Sequence, residues 1–302
     1  MVLAPTGTRG GVDVRGGGTG TREIEALSPL ANAEGPGAVL FTGGSAFGLA
    51  AADGAVRWLA ERGLGRPTPS GVVPLVPAAV VFDLAEGEAA VQPGPEEGYA
   101  ACERAAEGVP ERGRIGAGAG AAVGKLLGRE RATPGGIGYA AAQLAGGELV
   151  GVLAVANAFG DVLGEDGELL GAPRDERGEA VRTVQRLAEL PGPPESLSTR
   201  VVGNTTLACV FTDASLDKRS CAIIARMASA GIARAVNPAF TPVDGDVVFC
   251  LASGPTPTAQ PGLATTWALT ALGALAATLT AAAIRDAVRQ SAEAEPTAGQ
   301  SG

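Results

Sequence analysis

Residues 201–216 read VVGNTTLACVFTDASL, and this stretch decides the fold because a polar turn passes directly into an apolar strand. The strand is predicted over 205–212, where small, β-branched and aromatic residues follow one another without a charge. The preceding segment, 164–200, is charged and rich in proline, which indicates an exposed connector with a helix inside it. The chain therefore enters the protein core where this connector ends.

Apolar runs and helical patterns alternate on both sides of this strand. Further strands are predicted at 38–42, 78–82, 138–144, 148–156 and 246–252, and helices after the Gly-Gly-Ser turn at 43–45 and over 96–107, 218–230 and 264–289. This order predicts a layered α/β or α+β domain in which helices cover packed sheets.

The last predicted helix lies in a stretch without charge between Asp246 and Arg285, so a membrane span is an alternative interpretation. Alanine, threonine and glycine dominate this stretch, and its hydrophobicity is marginal for a span. We therefore interpret it as a helix buried between protein layers, and we expect no membrane partner.

The composition excludes several classes of function. The 302-residue chain has 32 acidic and 23 basic residues, a net charge of −9, so it has no basic surface for nucleic acid. Its four cysteines lack CxxC spacing, and no secretory signal precedes the first elements, which together predict reduced thiols and a cytoplasmic location. Histidine is absent, so an enzyme with this sequence needs a base other than imidazole.

An N-terminal threonine would supply such a base. If the Thr205 hydroxyl attacks the carbonyl of Asn204 and the resulting ester is hydrolysed, Thr205 gains a free α-amine beside its hydroxyl. An α-amine has an unperturbed pKa of about 8, which suits a general base. On its own, Asn-Thr-Thr is also a common sequence at the start of a strand.

Four other residues fit the same chemistry, and each also has an ordinary structural interpretation. Asp244 and Asp246 lie two apart and would share one face of an extended chain, or else form a turn before a strand. Lys125 is a lone charge among small apolar residues, or a surface lysine at the start of a helix. Asn157 follows a predicted strand, where its amide could stabilise an oxyanion or cap a turn.

The glycine-rich segment 115–128 also invites a nucleotide-binding interpretation, which the spacing rejects. A phosphate-binding loop would need glycine at Ala119 and a hydroxyl residue at Leu126. The dinucleotide fingerprint would need glycine at Ala121 or Val123. We expect no nucleotide, other cofactor or metal.

These elements occur together, in this order, in a known family. The matching motifs are FTGGSAFGLAAADGAVRWL (41–59), VPLVPAAVVFDL (73–84), GAGAGAAVGKLLG (116–128), VLAVANAFGDV (152–162), VGNTTLACVFTDASL (202–216) and TPVDGDVVFCLASG (241–254). The chain resembles the DmpA/NylC family of self-processing hydrolases, which includes L-aminopeptidase/D-esterases, β-peptidyl aminopeptidases and nylon-oligomer hydrolases.

The resemblance implies one hydrolase domain over 1–302 with a four-layer αββα sandwich fold. It implies cleavage between Asn204 and Thr205 into parts 1–204 and 205–302, which associate as αβ units in a homo-oligomer. Thr205 matches the family nucleophile. Lys125, Asn157, Asp244 and Asp246 match the residues that assist it in the threonine branch, whereas the aminopeptidase branch has serine as nucleophile and Ser-x-Glu where this chain has Asp244-Gly-Asp246.

Two departures from the family pattern bear on function. Relatives usually begin with a further strand carrying a Gly-His motif, so we expect either a misassigned start of this sequence or an incomplete sheet edge. Some relatives have tyrosine at the position of Phe82, a candidate substrate-pocket residue that cannot donate a hydrogen bond. These departures motivate a non-enzymatic scaffold as one alternative to a peptide or oligoamide hydrolase. An aminopeptidase restricted to free N-terminal residues is another.

Overall fold

The computed structural model describes residues 1–84, 92–194, 203–257 and 262–293. Its strands are β1 Val2–Leu3, β2 Arg9–Val14, β3 Thr21–Arg22, β4 Ala38–Thr42, β5 Arg66–Thr68, β6 Gly71–Val73, β7 Ala78–Val80, β8 Ala122–Val123, β9 Thr133–Pro134, β10 Gly136–Gln143, β11 Leu149–Asn157, β12 Asp161–Leu163, β13 Leu169–Gly171, β14 Thr205–Thr212, β15 Val236–Asn237 and β16 Val247–Ala252. Its α-helices are α1 Ser45–Gly48, α2 Ala51–Glu61, α3 Pro95–Glu103, α4 Thr183–Glu189, α5 Lys218–Ala235 and α6 Leu263–Glu293.

Two larger sheets form the centre of the fold. The first has five strands in the order β10-β11-β14-β16-β2, in which β14 pairs antiparallel with β11 and parallel with β16. The second has four strands in the order β1-β4-β7-β3. Strand β14, which the sequence predicted to the residue, therefore lies in the middle of the larger sheet.

The alternation of side chains along β14 and β16 places one sheet between two apolar layers. Leu207 and Cys209 of β14 pack with Phe249 of β16 against Phe41 of the four-stranded sheet. The intervening residues, such as Val210, pack against the helices instead. This period of two, with both faces buried, is the pattern of a strand covered on both sides.

Helices cover the outer faces of both sheets. Helices α5 and α6 share a core with the five-stranded sheet, and α2 contributes to a core with β4 and β7. The layers are thus helix, sheet, sheet and helix, which confirms the predicted four-layer αββα sandwich.

Small residues allow the outer helices to lie directly on the sheet. A Cβ on Gly138 of β10 would lie 2.0 Å from the carbonyl oxygen of Ala283 in α6, and a Cβ on Gly11 of β2 would lie 2.3 Å from the backbone nitrogen of Ala222 in α5. Real side chains do not approach this closely, so the glycines permit contact between backbones. The abundance of glycine is therefore partly a packing requirement.

Helix α6 is long and apolar enough to cross a membrane by length and composition, and half of its most apolar window is buried in the protein. Its middle and end pack on the five-stranded sheet through residues such as Ala276 and Ile284, so it belongs to an outer helical layer and is not, as predicted, buried between layers. Its first turns are exposed, with Trp267 at 74%.

The structure adds two details that the sequence expectations lacked. The segment 164–200 was predicted to be an exposed connector with a helix, and helix α4 is present. However, part of this segment is packed, because Ala172 is 2% exposed and Thr183 is fully buried against Asp161. The sequence also did not predict β2, whose adjacent glycines are atypical of strands but which forms an edge of the five-stranded sheet.

Candidate active site

The candidate nucleophile lies at the beginning of the central strand. Thr205 is the first residue of β14, stands opposite Asn157 in the antiparallel pair with β11, and is 3% exposed. Its hydroxyl donates a hydrogen bond to the carbonyl oxygen of Asn204, with 2.5 Å between the two oxygens. The hydroxyl is therefore directed at the peptide group that joins it to the preceding residue.

A second donor holds the same carbonyl. The backbone N–H of Gly245 lies 2.7 Å from the Asn204 oxygen, and Asn204 also pairs with Asp244 in an isolated parallel bridge. A developing negative charge on this oxygen would thus meet a donor that is already in place. Gly245 must remain glycine here, since a Cβ would lie 2.8 Å from the Thr205 hydroxyl oxygen.

Lys125 is a buried charge within this site and not a surface residue at a helix start. Its side chain is among the largest fully buried ones, at 2% exposure for the residue. The ammonium donates to the side-chain oxygen of Asn157 at 2.9 Å and to the carbonyl oxygen of Gly203 at 3.1 Å. It therefore connects the end of β11 to the backbone just before the candidate nucleophile.

Asn157 positions Lys125 in this structure. Its side-chain oxygen accepts from the Lys125 ammonium and, at 3.1 Å, from the Ala122 N–H. Its side-chain nitrogen donates to the carbonyl of Phe82 at 3.4 Å. The donor to the Asn204 carbonyl is consequently Gly245 and not Asn157, although the sequence suggested Asn157 for an oxyanion role.

The two aspartates flank Gly245 and organise the backbone around the nucleophile. Asp246 accepts from the N–H of Thr206 at 2.6 Å and from the N–H of Phe240 at 3.1 Å. These contacts fix the residue that follows the candidate nucleophile in the strand.

Asp244 makes a similar set of contacts. It accepts from the N–H of Phe159 at 3.1 Å and from both the N–H and the hydroxyl of Thr241. Both aspartates thus accept hydrogen bonds from neighbouring backbone groups, and Asp244 also from the Thr241 hydroxyl, and they position the site through these contacts.

Burial sets the charge state of this pair. Desolvation raises the pKa of Asp244, opposed by its hydrogen bonds from Thr241 and Phe159 and by the Lys125 charge. Desolvation and the neighbouring Asp244 charge raise the pKa of Asp246 to about 7, although N–H donors from Thr206 and Phe240 favour its charged form. Asp246 therefore titrates near neutral pH instead of near its ordinary value of 3.8.

The structure brings together all five residues predicted for catalysis. Phe82 also lies beside the site, since its carbonyl accepts from Asn157 and its side chain packs against Gly203. Sequence reasoning missed Gly245 and Gly203, for which the available signals were a glycine between two aspartates and a glycine before Asn-Thr. Within the described ranges, no three His, Cys, Asp or Glu residues lie close enough together to hold a metal ion.

The site is thus a buried threonine at the start of a central strand, with its hydroxyl aimed at its own peptide group, within an αββα sandwich. The chain belongs to peptidase family S58, whose family model matches residues 2–302.

The chain is also similar in sequence to proteins named as hydrolases. An uncharacterized aminopeptidase of Mycobacterium tuberculosis is 42% identical over 313 residues, covering 99% of this chain and 86% of that protein. A 6-aminohexanoate-oligomer endohydrolase of Paenarthrobacter ureafaciens is 29% identical over 255 residues, covering 83% and 68%.

Solved structures show the same fold. A β-aminopeptidase of a Burkholderia species superposes with a TM-score of 0.67 at 22% identity, covering 93% of this chain and 73% of that one. The L-aminopeptidase D-Ala-esterase/amidase of Ochrobactrum anthropi, described as a variant of the Ntn hydrolase fold, gives 0.66 at 18% identity, covering 95% and 73%.

The raised pKa of Asp246 predicts a pH-dependent stability. The folded protein holds a proton on this carboxyl up to a pKa of about 7, whereas an unfolded chain releases it at about 4. The stabilising contribution is complete below about pH 4 and is lost as the pH rises through the folded pKa.

Asp246→Asn removes this titration, so the stability of the parent relative to the variant should fall by up to about 1.4 kcal/mol per pH unit between the two pKa values. Urea unfolding at several pH values, with Thr205→Ala in both proteins to keep the chain covalently constant, measures this difference. A difference that does not change with pH would contradict the prediction.

Proposed function

We propose that this protein cleaves itself between Asn204 and Thr205 and then uses Thr205 as the nucleophile of a peptide or oligoamide hydrolase. The observation that carries the proposal is the Asn204 carbonyl, which accepts hydrogen bonds from the Thr205 hydroxyl at 2.5 Å and from the Gly245 N–H at 2.7 Å. A nucleophile and an oxyanion donor thus already meet at the bond to be cut.

In the self-cleavage step, the Thr205 oxygen attacks the carbonyl carbon of Asn204, the C–N bond breaks, and the hydroxyl proton passes to the released α-amine, so the peptide bond becomes an ester. Water then hydrolyses the ester, which leaves a carboxylate on Asn204 and restores the Thr205 hydroxyl. Lys125 supports this step by holding the Gly203 carbonyl, 3.1 Å from its ammonium. This hydrogen bond holds the backbone before Asn204 in the position required for attack on the Asn204 carbonyl.

In the cleaved enzyme, the new α-amine of Thr205 takes the proton from its own hydroxyl during attack on a substrate amide. Once the Asn204 carbonyl has left, the Gly245 N–H becomes the donor for the substrate oxyanion. Asn157, Asp244 and Asp246 keep their contacts to Lys125 and to the backbone around the nucleophile. A direct oxyanion role for Asn157 stays a prediction for the cleaved form.

The proposal extends to the organisation of the mature protein. The products are the parts 1–204 and 205–302, which interleave in one sandwich because β14 and β16 of the second part pair with β11 and β2 of the first. The cleaved units associate as a homo-oligomer, as the family resemblance implies. A cytoplasmic location is consistent with four buried cysteines that form no disulfide.

Replacing the nucleophile tests the proposal directly. Thr205→Ala should give one uncut 29.7 kDa chain without hydrolase activity, at least about a thousandfold below the parent. Thr205→Ser keeps a hydroxyl and should still divide into fragments of about 20 and 10 kDa, in proportion to the residue numbers of the two parts. Intact-mass analysis measures both outcomes, and an active, uncut Thr205→Ala protein would refute the mechanism.

The space at Gly245 gives a second test. In Gly245→Ala, the new Cβ would lie 2.8 Å from the Thr205 oxygen and 2.9 Å from the Gly18 carbonyl, so the hydroxyl must move off the Asn204 carbonyl. We expect self-cleavage to slow by at least about tenfold. Gly262→Ala is the matched control, since a Cβ there meets nothing within 4 Å. Equal cleavage rates in both variants would remove Gly245 from the mechanism.

A second candidate function is an aminopeptidase limited to free N-terminal residues, which is favoured by the 42% identical relatives named as aminopeptidases. Amino-acid anilides with a free or an acetylated amine separate the two. Our main proposal predicts that both forms are cleaved and that their rates differ by no more than about tenfold. This ratio corresponds to a difference of about 1.4 kcal/mol in transition-state binding. Loss of activity on acetylation alone would favour the aminopeptidase.

A further inference from the structure

Gly203 lies directly against the side chain of Phe82. A Cβ on Gly203 would lie 2.1 Å from the Cβ of Phe82, 2.2 Å from its Cγ and 2.7 Å from its Cδ2. All three distances are shorter than any real contact between carbon atoms. Phe82 therefore occupies the space that a side chain at position 203 would need.

The three atoms nearest to a Cβ on Gly203 all belong to Phe82. The requirement for glycine is therefore a contact between two residues, which a substitution at position 82 could relieve.

Neither partner is free to move away. Phe82 follows β7, its carbonyl accepts from Asn157 at 3.4 Å, and the next residue, Asp83, accepts from the Gly44 N–H at 2.7 Å. On the other side, the Gly203 carbonyl accepts from Lys125 at 3.1 Å. Gly203 is thus held between Phe82 and the buried lysine.

Given self-cleavage after Asn204, on which this inference rests, the chain is its own first substrate. Asn204 then stands at the first acyl position before the cleaved bond and Gly203 at the second. We infer that Phe82 is a specificity-determining residue that admits only an unsubstituted carbon at this second position. The preferred substrates are amides whose acyl part is a single residue, or a longer chain that carries glycine or a methylene group at that point.

Self-cleavage of variant chains tests this inference. Gly203→Ala should slow self-cleavage by about tenfold to a hundredfold, because the methyl group displaces the Asn204 carbonyl from its donors. Adding Phe82→Gly, which removes the Cβ and the ring, should restore the rate to within a few-fold of the parent. Adding Phe82→Ala should not, since the Cβ that would lie 2.1 Å away remains.

Intact-mass analysis against time after synthesis gives the rates, and Gly192→Ala serves as a control because a Cβ there meets nothing within 4 Å. Unchanged cleavage in Gly203→Ala would overturn the inference. If Gly203→Ala is insoluble, the doubly substituted Gly203→Ala/Phe82→Gly chain must be soluble and self-cleaving, and its failure would also overturn it. The proposed function has a separate readout, cleavage of the parent before Thr205, so a failure of this inference can be told apart from a failure of the proposed function.

Discussion

The position of one carbonyl group, that of Asn204, sets the requirements for the rest of the structure. It must lie within hydrogen-bond distance of two donors, the hydroxyl of the next residue, Thr205, and the N–H of Gly245, which lies just before β16. The first condition is local to residues 204 and 205. The parallel pairing of β14 with β16 satisfies the second, because it places Leu207 beside Val247 and so brings residues 204 and 245 together just before the strands begin. A parallel pair needs a long crossover, which helix α5 supplies.

The site places charge where the fold otherwise excludes it. Lys125, Asp244 and Asp246 are each no more than 2% exposed, in a sandwich whose strands are apolar on both faces. Such charges persist only when hydrogen bonds replace water, and the two carboxylates accept from the N–H groups of Thr206, Phe159, Thr241 and Phe240. The absence of histidine is compatible with this arrangement, since Asp246 has a pKa raised to about 7, and the α-amine that the proposed cleavage would free at Thr205 has an ordinary pKa of about 8.

Much of this arrangement could be predicted from the sequence. Strands with continuous apolar runs, such as 38–42 and 205–212, were assigned to the residue because burial on both faces leaves an unambiguous pattern. The spacing of the aspartates and the isolation of Lys125 indicated the site residues. Strand β2 could not be predicted because Gly10 and Gly11 are atypical of strands. The contacts of Asn157 could not be predicted because its hydrogen-bond partners are brought to it by the tertiary fold.

The residues that sequence reasoning missed share one property, which is that they act by lacking a side chain. Searches for catalytic sites look for groups that carry chemistry, whereas Gly245 and Gly203 matter because of the atoms that would collide if a Cβ were present. The same absence lets α5 and α6 rest on the sheet through Gly11 and Gly138. In a glycine-rich chain, composition cannot separate packing glycines from site glycines, because both are defined by a neighbour distant in sequence. Only the identity of that neighbour, a helix backbone in one case and a nucleophile or an aromatic ring in the other, assigns the function.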